Sequence, residues 1–265
     1  MAIKITLGNS KGGIGKTTIS GMLSYYLATE GYKVLLIDLD PQANATYLIN
    51  NTFYPNEEKE HTTIYEGLTD NIQDAIHKVD SNFHFIAGSQ NTANIRFLLN
   101  KQNQFTFLKD AIQDIEKDYD FVFYDIPPTI FTDFINNALA ASDYFIILTE
   151  TSDYSFKGIS DMYNTAKEIS SINEKLDFLG ILINMREDDR EVIEQLDSKY
   201  NIHNEEMFFK TYIPKRKRIT KYATDGMFGK NNTSAVKYDR WDKEMFEVFE
   251  NLKNELFEKI GGVKQ

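Results

Sequence analysis

The segment from Ser10 to Thr17 constrains the fold of this chain more than any other part. It reads Ser-Lys-Gly-Gly-Ile-Gly-Lys-Thr, and glycine is the residue that lets a backbone wind tightly and adopt positive φ. The apolar run Ile3–Leu7 precedes this segment, and apolar residues at helical spacing from Ile19 to Leu27 follow it. The pattern predicts a tight loop between a strand and a helix, with a second strand at Val34–Ile37.

Further apolar runs of strand length are separated by segments long enough for crossover helices. They lie at Phe83–Ala87, Phe121–Tyr124, Tyr144–Leu148 and Phe178–Ile183, with Met207–Ile213 as an additional candidate. This alternation predicts an α/β fold, a mostly parallel twisted sheet with helices on both faces. We expect a polar loop from Asn50 to His61 and a final amphipathic helix from Trp241 to about Gly261 and Gly262.

Composition narrows the class of protein. The 265 residues contain no cysteine, which excludes disulfides, thiolate zinc sites and iron–sulfur clusters. No run approaches the roughly 18 apolar residues of a membrane-spanning helix, and the first residues are typical of a strand rather than a signal peptide. Because there is no repeat and no Pro-rich or Gly/Ser-rich linker, residues 1–265 are expected to form a single cytoplasmic domain.

Charge is distributed unevenly along the chain. The net charge is −11, yet the stretch from Lys210 to Lys230 holds seven Lys or Arg side chains and one acid, Asp225. A basic stretch on an acidic protein indicates a localised patch that could bind phosphate groups. A solvated face or loop is the alternative.

The glycine-rich segment has the chemistry of a phosphate site. Apart from Ser10, which stands where the pattern has its first glycine, it follows the P-loop motif in the expected strand–loop–helix context. Its backbone N–H groups and the helix N-terminus would point at the phosphates of a nucleotide. Lys16 would reach the β- and γ-phosphates, and the Thr17 hydroxyl would be a ligand of Mg²⁺.

Carboxylates follow two of the predicted strands. Asp38 and Asp40 come directly after the second strand, and Asp125 ends the run Phe121–Tyr124 before the pair Pro127-Pro128. Since the carboxyl ends of parallel strands meet at one edge, acids there can order magnesium-bound water or orient an attacking water. Each acid alone could instead end a strand or form a turn.

Lys11 makes the loop more specific than an ordinary P-loop. Lys-Gly-Gly-Ile-Gly-Lys-Thr-Thr resembles the deviant Walker A motif of the ParA/MinD superfamily, in which the early lysine is the signature. The resemblance implies an ATPase in which Lys11 reaches across a face-to-face homodimer to the phosphates of the other subunit. ATP and Mg²⁺ are the implied cofactors, and the implied nucleotide-binding residues of the loop are Gly12, Gly13, Ile14, Gly15, Lys16, Thr17 and Thr18.

Other segments are similar to the same superfamily. Pro-Gln-Ala-Asn-Ala-Thr after Asp40 is the version found in its ParA branch, and Asp-Ile-Pro-Pro from Asp125 resembles its Walker B and switch segment. The resemblance implies that Lys11, Lys16, Asp40 and Asp125 carry catalysis and that Thr17, Asp38 and Asp125 serve the metal. Asn184 and Pro214 match residues near adenine, although a strand cap and a plain turn proline explain them equally well. The family segment Glu-x-x-Ala-Leu-Glu-Gly is replaced here by Asp153–Gly158.

The residues separate the branches of the superfamily. Iron–sulfur relatives need cysteines, and MinD-like proteins end in a basic membrane-binding helix, whereas the last helix here has an acidic polar face. The resemblance therefore favours a plasmid or chromosome partition ATPase, nucleoid-associated and without an N-terminal helix-turn-helix domain. Its implied partners are nonspecific DNA, bound by Lys215, Arg216, Arg218 and Lys221, and a centromere-binding ParB-like adaptor. A positioning ATPase for a protein cargo is the alternative, and a scaffold with negligible turnover is a third hypothesis.

Overall fold

The apolar runs of the sequence form the strands of one sheet in the computed structural model, which describes residues 1–100, 102–128, 132–150, 153–186, 207–227 and 240–261. The strands are β1 (Ile3–Gly8), β2 (Val34–Asp38), β3 (Ile76–Lys78), β4 (Phe83–Ile86), β5 (Phe121–Asp125), β6 (Tyr144–Glu150) and β7 (Asp177–Asn184). Their spatial order is β3-β4-β2-β5-β1-β6-β7. Only β3 pairs in the antiparallel sense, among the described strands. The predicted mostly parallel sheet is confirmed.

Helices connect the strands and cover both faces of the sheet. The α-helices are α1 (Lys16–Thr29), α2 (Asn44–Phe53), α3 (Ile64–Thr69), α4 (Phe107–Ile112), α5 (Thr132–Ala141), α6 (Asp153–Ile169), α7 (Lys217–Asp225) and α8 (Arg240–Lys259). Shorter 3₁₀ segments lie at Ile72–Ala75, Gln90–Phe97 and Glu116–Asp118. The predicted terminal helix is α8. Lys230 and Gly262 lie outside the described residues.

Two apolar layers sandwich the sheet because successive strand residues point to opposite faces. In β6, Ile146 and Leu148 belong to the layer that contains α1 and α8, whereas Phe145 and Ile147 belong to the layer that contains α5 and α6. Both sets are almost completely buried. A strand with two buried faces reads as a continuous apolar run, which is why the sequence pattern located these strands.

Two segments differ from the sequence prediction. The expected loop from Asn50 to His61 begins only after α2, which extends to Phe53. The stretch Met207–Ile213 runs beside β7, but only Phe208 in it forms an isolated bridge, and Pro214 directly after it forms another. A continuous ladder is interrupted because the Glu255 carboxylate accepts the backbone N–H groups of Lys210 and Thr211, at 2.6 and 2.8 Å.

The strand order places a crevice at one edge of the sheet. The central strand β1 lies between β5 and β6, and the chain leaves this centre toward β2 on one side and toward β7 on the other. Ligands of open α/β sheets bind outside the carboxyl ends of the strands at such a switch point. The loops that follow β1, β2, β5 and β7 meet there.

Candidate nucleotide-binding site

The glycine-rich loop joins β1 to α1 at the centre of this crevice. Gly13 and Gly15 have left-handed backbone conformations, with φ of 77° and 84°, which side chains rarely adopt. A Cβ at Gly13 would meet nothing within 4 Å, whereas one at Gly15 would lie 2.5 Å from Nδ2 of Asn184. The loop therefore needs glycine at Gly13 for its backbone angle and at Gly15 for both its angle and its packing.

Lys16 begins α1 and is nearly buried, with 6% of its surface exposed. Its ammonium donates a 2.9 Å hydrogen bond to the carbonyl oxygen of Lys11. Burial lowers the pKa of Lys16 to about 8, and the nearby carboxylates of Asp125 and Asp40 partly oppose that shift. The two carboxylates do not offset the cost of burying this cation, and the phosphates of a bound nucleotide would add counter-charge.

Asp125 lies at the end of β5 and is fully buried. Its Oδ1 accepts a 3.0 Å hydrogen bond from the hydroxyl of Ser20, and the Thr17 side chain also donates to this carboxylate. Its Oδ2 has no partner among the described residues. Burial, and secondly the nearby carboxylate of Asp38, raises the pKa of Asp125. Sequence reasoning missed Ser20, although its place one turn after Thr17 puts both hydroxyls on one face of α1.

These groups fit a hydrated magnesium ion. An unpartnered buried carboxylate oxygen beside a threonine hydroxyl offers the oxygen ligands that Mg²⁺ prefers, directly or through water. Among the described residues, no group of three or more His, Cys, Asp or Glu side chains could hold a metal ion.

Asp38 lies behind the crevice rather than in its wall. Its carboxylate accepts hydrogen bonds from the backbone N–H of Asp40 at 3.0 Å and from the N–H and hydroxyl of Thr46, both at 2.8 Å. The Thr46 hydroxyl in turn accepts the N–H of Gly88. These bonds fix the segment that carries Asp40 and begins α2. The predicted support of the metal shell by Asp38 stays a prediction.

Asp40 itself faces the crevice. Its Oδ1 accepts the backbone N–H of Gln42 at 2.9 Å, and the chain then turns through Ala43, which has a φ of 53°. A positive φ at a residue other than glycine is uncommon and often marks a functional turn. The turn directs α2 along one wall, so that Asp40, Asn44 and Tyr47 line the same cavity.

The cavity has a volume of about 370 Å³ and brings together most of the predicted site. Its floor is the glycine-rich loop and the start of α1, and α2 and α7 form its walls. The described lining residues are Gly13, Gly15, Lys16, Thr17, Thr18, Asp40, Asn44, Tyr47, Leu48, Ile126, Pro128, Asn184, Met185, Pro214, Lys215, Arg216, Ile219, Thr220 and Ala223. Ser10, Lys11, Gly12 and Ile14 of the loop are not in this lining.

Tyr47 and Thr220 are lining residues that sequence reasoning missed. Tyr47 keeps 57% of its surface exposed, which is unusual for an aromatic ring on the wall of a cavity. Helical spacing was the signal that could have found these two walls. It relates residues 44, 47 and 48 in α2 and residues 219, 220 and 223 in α7.

Asn184 ends β7 and packs directly against the glycine-rich loop. Its Nδ2 donates a 2.7 Å hydrogen bond to the carbonyl oxygen of Ile14, and its buried Oδ1 has no partner among the described residues. Met185 follows with a φ of 53°. Pro214 borders the same end of the cavity. An amide oxygen left open here could accept a hydrogen bond from the exocyclic amine of a purine.

The basic segment divides into two kinds of residue. Arg218 donates to the fully buried carboxylate of Asp242 in α8 at 2.7 and 3.2 Å, and the Tyr222 hydroxyl donates to the same group at 3.0 Å. Arg216 is paired with Glu244 at 2.7 Å. The side chains of Lys215, Lys217 and Lys221 are exposed. Two of the four predicted DNA contacts are thus engaged by acids of α8.

Lys11, the signature residue, bends back onto its own subunit. Its ammonium forms an ion pair with the carboxylate of Glu150 at the end of β6, and its backbone N–H donates to Oδ1 of Asn9 at 2.9 Å. Both side chains of the ion pair are about one-quarter to one-third exposed.

No helix in the described parts of the chain has the length and apolar character needed to cross a membrane.

The fold and the site together define a P-loop ATPase of the deviant Walker A type. A family model described as "AAA domain" matches residues 2–178. The chromosome-partitioning ATPase Soj of Thermus thermophilus is 31% identical over 224 residues, which is 84% of this chain and 85% of that protein. The chain belongs to the ParA/MinD family of these ATPases.

Solved structures agree with this fold. A plasmid partition protein of Borrelia burgdorferi bound to AMPPNP has a TM-score of 0.76 at 23% identity, covering 98% of this chain and 100% of that one. McdA of Cyanothece has a TM-score of 0.78 at 19% identity, covering 97% and 100%. At these identities the likeness describes the fold alone.

Proposed function

We propose that this chain is an ATP-dependent partition ATPase that acts in plasmid or chromosome segregation. ATP binding favours a homodimer that binds DNA without sequence preference, and hydrolysis stimulated by a centromere-binding, ParB-like adaptor releases it. The proposal is supported by two relatives named for chromosome partitioning, which are 31% and 28% identical and each cover 84% of this chain. One structural observation carries it: a single helix, α7, forms a wall of the nucleotide cavity and also carries exposed lysines.

The two faces of α7 follow from helical spacing. Ile219 and Ala223, four residues apart, line the nucleotide cavity. Lys217 and Lys221, also four residues apart, are exposed. Because a helix moves as a rigid unit, nucleotide or a second subunit that repositions the inner face also repositions the outer lysines. This is the physical link that a nucleotide-controlled DNA switch requires.

The roles of the site residues follow from their positions. The loop from Gly12 to Thr18 binds the phosphates through backbone N–H groups, and Lys16 neutralises charge on them. Thr17, and Asp125 through water, would hold Mg²⁺, which would supply positive charge beside the phosphates when bound. Asp40 orients the attacking water, and Asn184 and Pro214 border the purine. Lys11 of one subunit stabilises charge at the nucleotide of the other.

DNA contacts are assigned first to the exposed lysines. Lys221 of the predicted set and the neighbouring Lys217 are exposed on α7, and Lys215 is exposed just before that helix begins. Arg216 and Arg218 would contact DNA only after exchanging a carboxylate of α8 for a phosphate. A symmetric dimer would present two such lysine sets, and nonspecific binding would fall steeply with salt.

DNA binding by the purified protein tests the proposal. Unrelated duplexes are titrated with ATP, ADP or no nucleotide, each with Mg²⁺, at low and moderate salt. We expect binding only with ATP and its loss in Lys16→Ala. If ATP drives dimer formation but no condition gives DNA binding, the switch acts on a protein cargo instead. Absence of both ATP binding and dimer formation would contradict the ATPase assignment as well.

A further inference from the structure

Lys11 is held on its own subunit at three points. Its N–H donates to Asn9, its carbonyl oxygen accepts the ammonium of Lys16, and its own ammonium pairs with Glu150. Asn9 is fixed in turn, because its Nδ2 donates a 2.7 Å hydrogen bond to the carbonyl oxygen of Leu148 in β6. The loop that begins at Asn9 is therefore tied to the same strand whose last residue holds the Lys11 side chain.

The close packing of α6 reinforces this arrangement. A Cβ at Gly158 would lie 2.0 Å from Oδ1 of Asn9 and 3.1 Å from the hydroxyl oxygen of Ser10. No side chain larger than hydrogen fits between α6 and the start of the loop. Close packing thus surrounds the backbone that precedes Lys11, whereas the Lys11 side chain can change partner by rotating about its own bonds.

The position of Lys11 conflicts with its proposed role in the dimer. A lysine paired with Glu150 of its own subunit cannot at the same time reach phosphates bound to another subunit. The carboxylate carries one negative charge, whereas the phosphates of ATP carry several, so a bound nucleotide presented by a second subunit would compete successfully for the ammonium. The ion pair is partly shielded from water, so its loss opposes dimer formation more than that of a fully exposed pair.

We propose that Glu150 is a positioning residue that holds Lys11 on its own subunit until an ATP-bound partner subunit takes the lysine over. The proposal rests on the ATP-dependent dimer proposed above. Each subunit must break one Lys11–Glu150 ion pair, so the free energy of forming the symmetric dimer includes the cost of two such pairs. Glu150 thereby sets the threshold of nucleotide and protein concentration at which dimers appear.

Removal of the Glu150 charge tests this directly. We expect Glu150→Gln, which keeps the shape of the side chain, to lower the dimer dissociation constant with AMPPNP and Mg²⁺ by roughly tenfold, since each of two partly shielded ion pairs contributes a few-fold. Sedimentation equilibrium measures this constant. Binding of ADP to the monomer should stay unchanged, and so serves as a check that the variant is folded.

A matched control distinguishes this contact from a general effect of charge. Glu30 pairs with Lys253 at 3.3 Å, with similarly shielded side chains. Glu30→Gln removes the same charge away from the nucleotide cavity, and we expect it to leave the dimer dissociation constant unchanged. In the Lys11→Gln background, Glu150→Gln should no longer strengthen the dimer, because there is no ammonium left to release.

The outcomes separate the two proposals. If the unaltered protein dimerises with AMPPNP while Glu150→Gln dimerises equally or more weakly, the positioning role of Glu150 is wrong and the dimer switch stands. A gain that persists in Lys11→Gln would also contradict it, because Glu150 would then act through another group. If neither the unaltered protein nor Glu150→Gln dimerises, the proposed function fails together with this inference.

Discussion

The glycine-rich loop and the basic segment of α7 lie on the same cavity, yet they differ in what determines their structure. The loop is fixed by local requirements, namely positive φ at Gly13 and Gly15 and a helix that starts at Lys16. In the basic segment, acids of α8, more than 20 residues further along the chain, determine which side chains are paired: Arg216 pairs with Glu244 and Arg218 with Asp242. Local chemistry can be read from a motif, whereas charge pairing depends on tertiary contacts.

The largest effect is expected at the loop. Lys16→Ala removes the buried ammonium that faces the phosphates, and we expect nucleotide affinity to fall by roughly 100- to 1000-fold, the range found when one preorganised charge-stabilising donor is lost. Titration with a fluorescent ATP analogue measures this loss. Lys175→Ala, at an exposed site at the opposite end of the sheet, is the control and should bind normally. Retained affinity in Lys16→Ala would contradict the phosphate site.

The next effect contrasts an arginine with a lysine of the same helix. Arg218→Ala leaves the fully buried carboxylate of Asp242 without its guanidinium partner, and loss of one partner of a buried pair destabilises by about 3 kcal/mol. Lys221→Ala, at an exposed position, should change the free energy of unfolding by less than about 0.5 kcal/mol. Urea denaturation compares the two variants.

A second variant checks the cause of that loss. Arg218→Met combined with Asp242→Leu replaces both charges by apolar groups, and such replacement of a buried pair is often neutral. Recovery of stability in the double variant would assign the Arg218 effect to the stranded carboxylate. Equal stability of Arg218→Ala and Lys221→Ala would mean that Arg218 is not part of a buried pair. That result would contradict the division of the basic segment into paired arginines and exposed lysines.

Most of the fold could be predicted from the sequence because the strands are buried on both faces. β3 was missed since it has only three residues, none of them buried. The stretch Met207–Ile213 was predicted as a strand, but the Glu255 carboxylate takes two of its N–H groups. The first strand is too short to show a pattern, and in the second case the deciding contact comes from α8, about 45 residues along the chain, where periodicity carries no information.

The site shows the same limit. Gly13, Gly15, Lys16 and Thr17 line one cavity together with Asp40, whereas Asp125 is fully buried near Lys16 and outside that lining. The catalytic roles of these residues stay predictions. The hydrogen bonds of Asp38 to Asp40 and Thr46 could not be predicted from spacing, because a carboxylate after a strand can face either the ligand or the next turn. The pairing of Lys11 with Glu150 joins residues that only the parallel pairing of β1 and β6 brings together.

A smaller effect compares two glycines within the loop. Gly13→Ala and Gly15→Ala both place a side chain at positive φ, which costs about 1 to 2 kcal/mol. At Gly15 the added Cβ also meets Nδ2 of Asn184 at 2.5 Å, whereas at Gly13 the space is open. Gly15→Ala should therefore unfold at a lower urea concentration than Gly13→Ala. Adding Asn184→Ala should recover part of the difference, and no recovery would contradict a steric cause.

The smallest effect is expected at the outer face of α7. A single lysine that contacts one phosphate contributes little by itself, so Lys221→Ala should weaken ATP-dependent DNA binding by only a few-fold at low salt. Its diagnostic consequence is a decrease of about 1 in the steepness of the dependence of log affinity on log salt for each lost phosphate contact. Fluorescence anisotropy over a salt series measures that slope, with Lys175→Ala as the control.

The slope separates the lysines from the arginines more sharply than affinity does. If Arg218 stays paired with Asp242 in the DNA complex, Arg218→Ala weakens DNA binding only because less of the protein is folded. The DNA affinity of the molecules that remain folded then depends on salt with the same slope as that of the unaltered protein. If Arg218 exchanges Asp242 for a phosphate, its removal lowers the slope as Lys221→Ala does. The second result would mean that ATP binding opens the contact between α7 and α8, and the basic segment would then act as one patch only in the nucleotide-bound dimer.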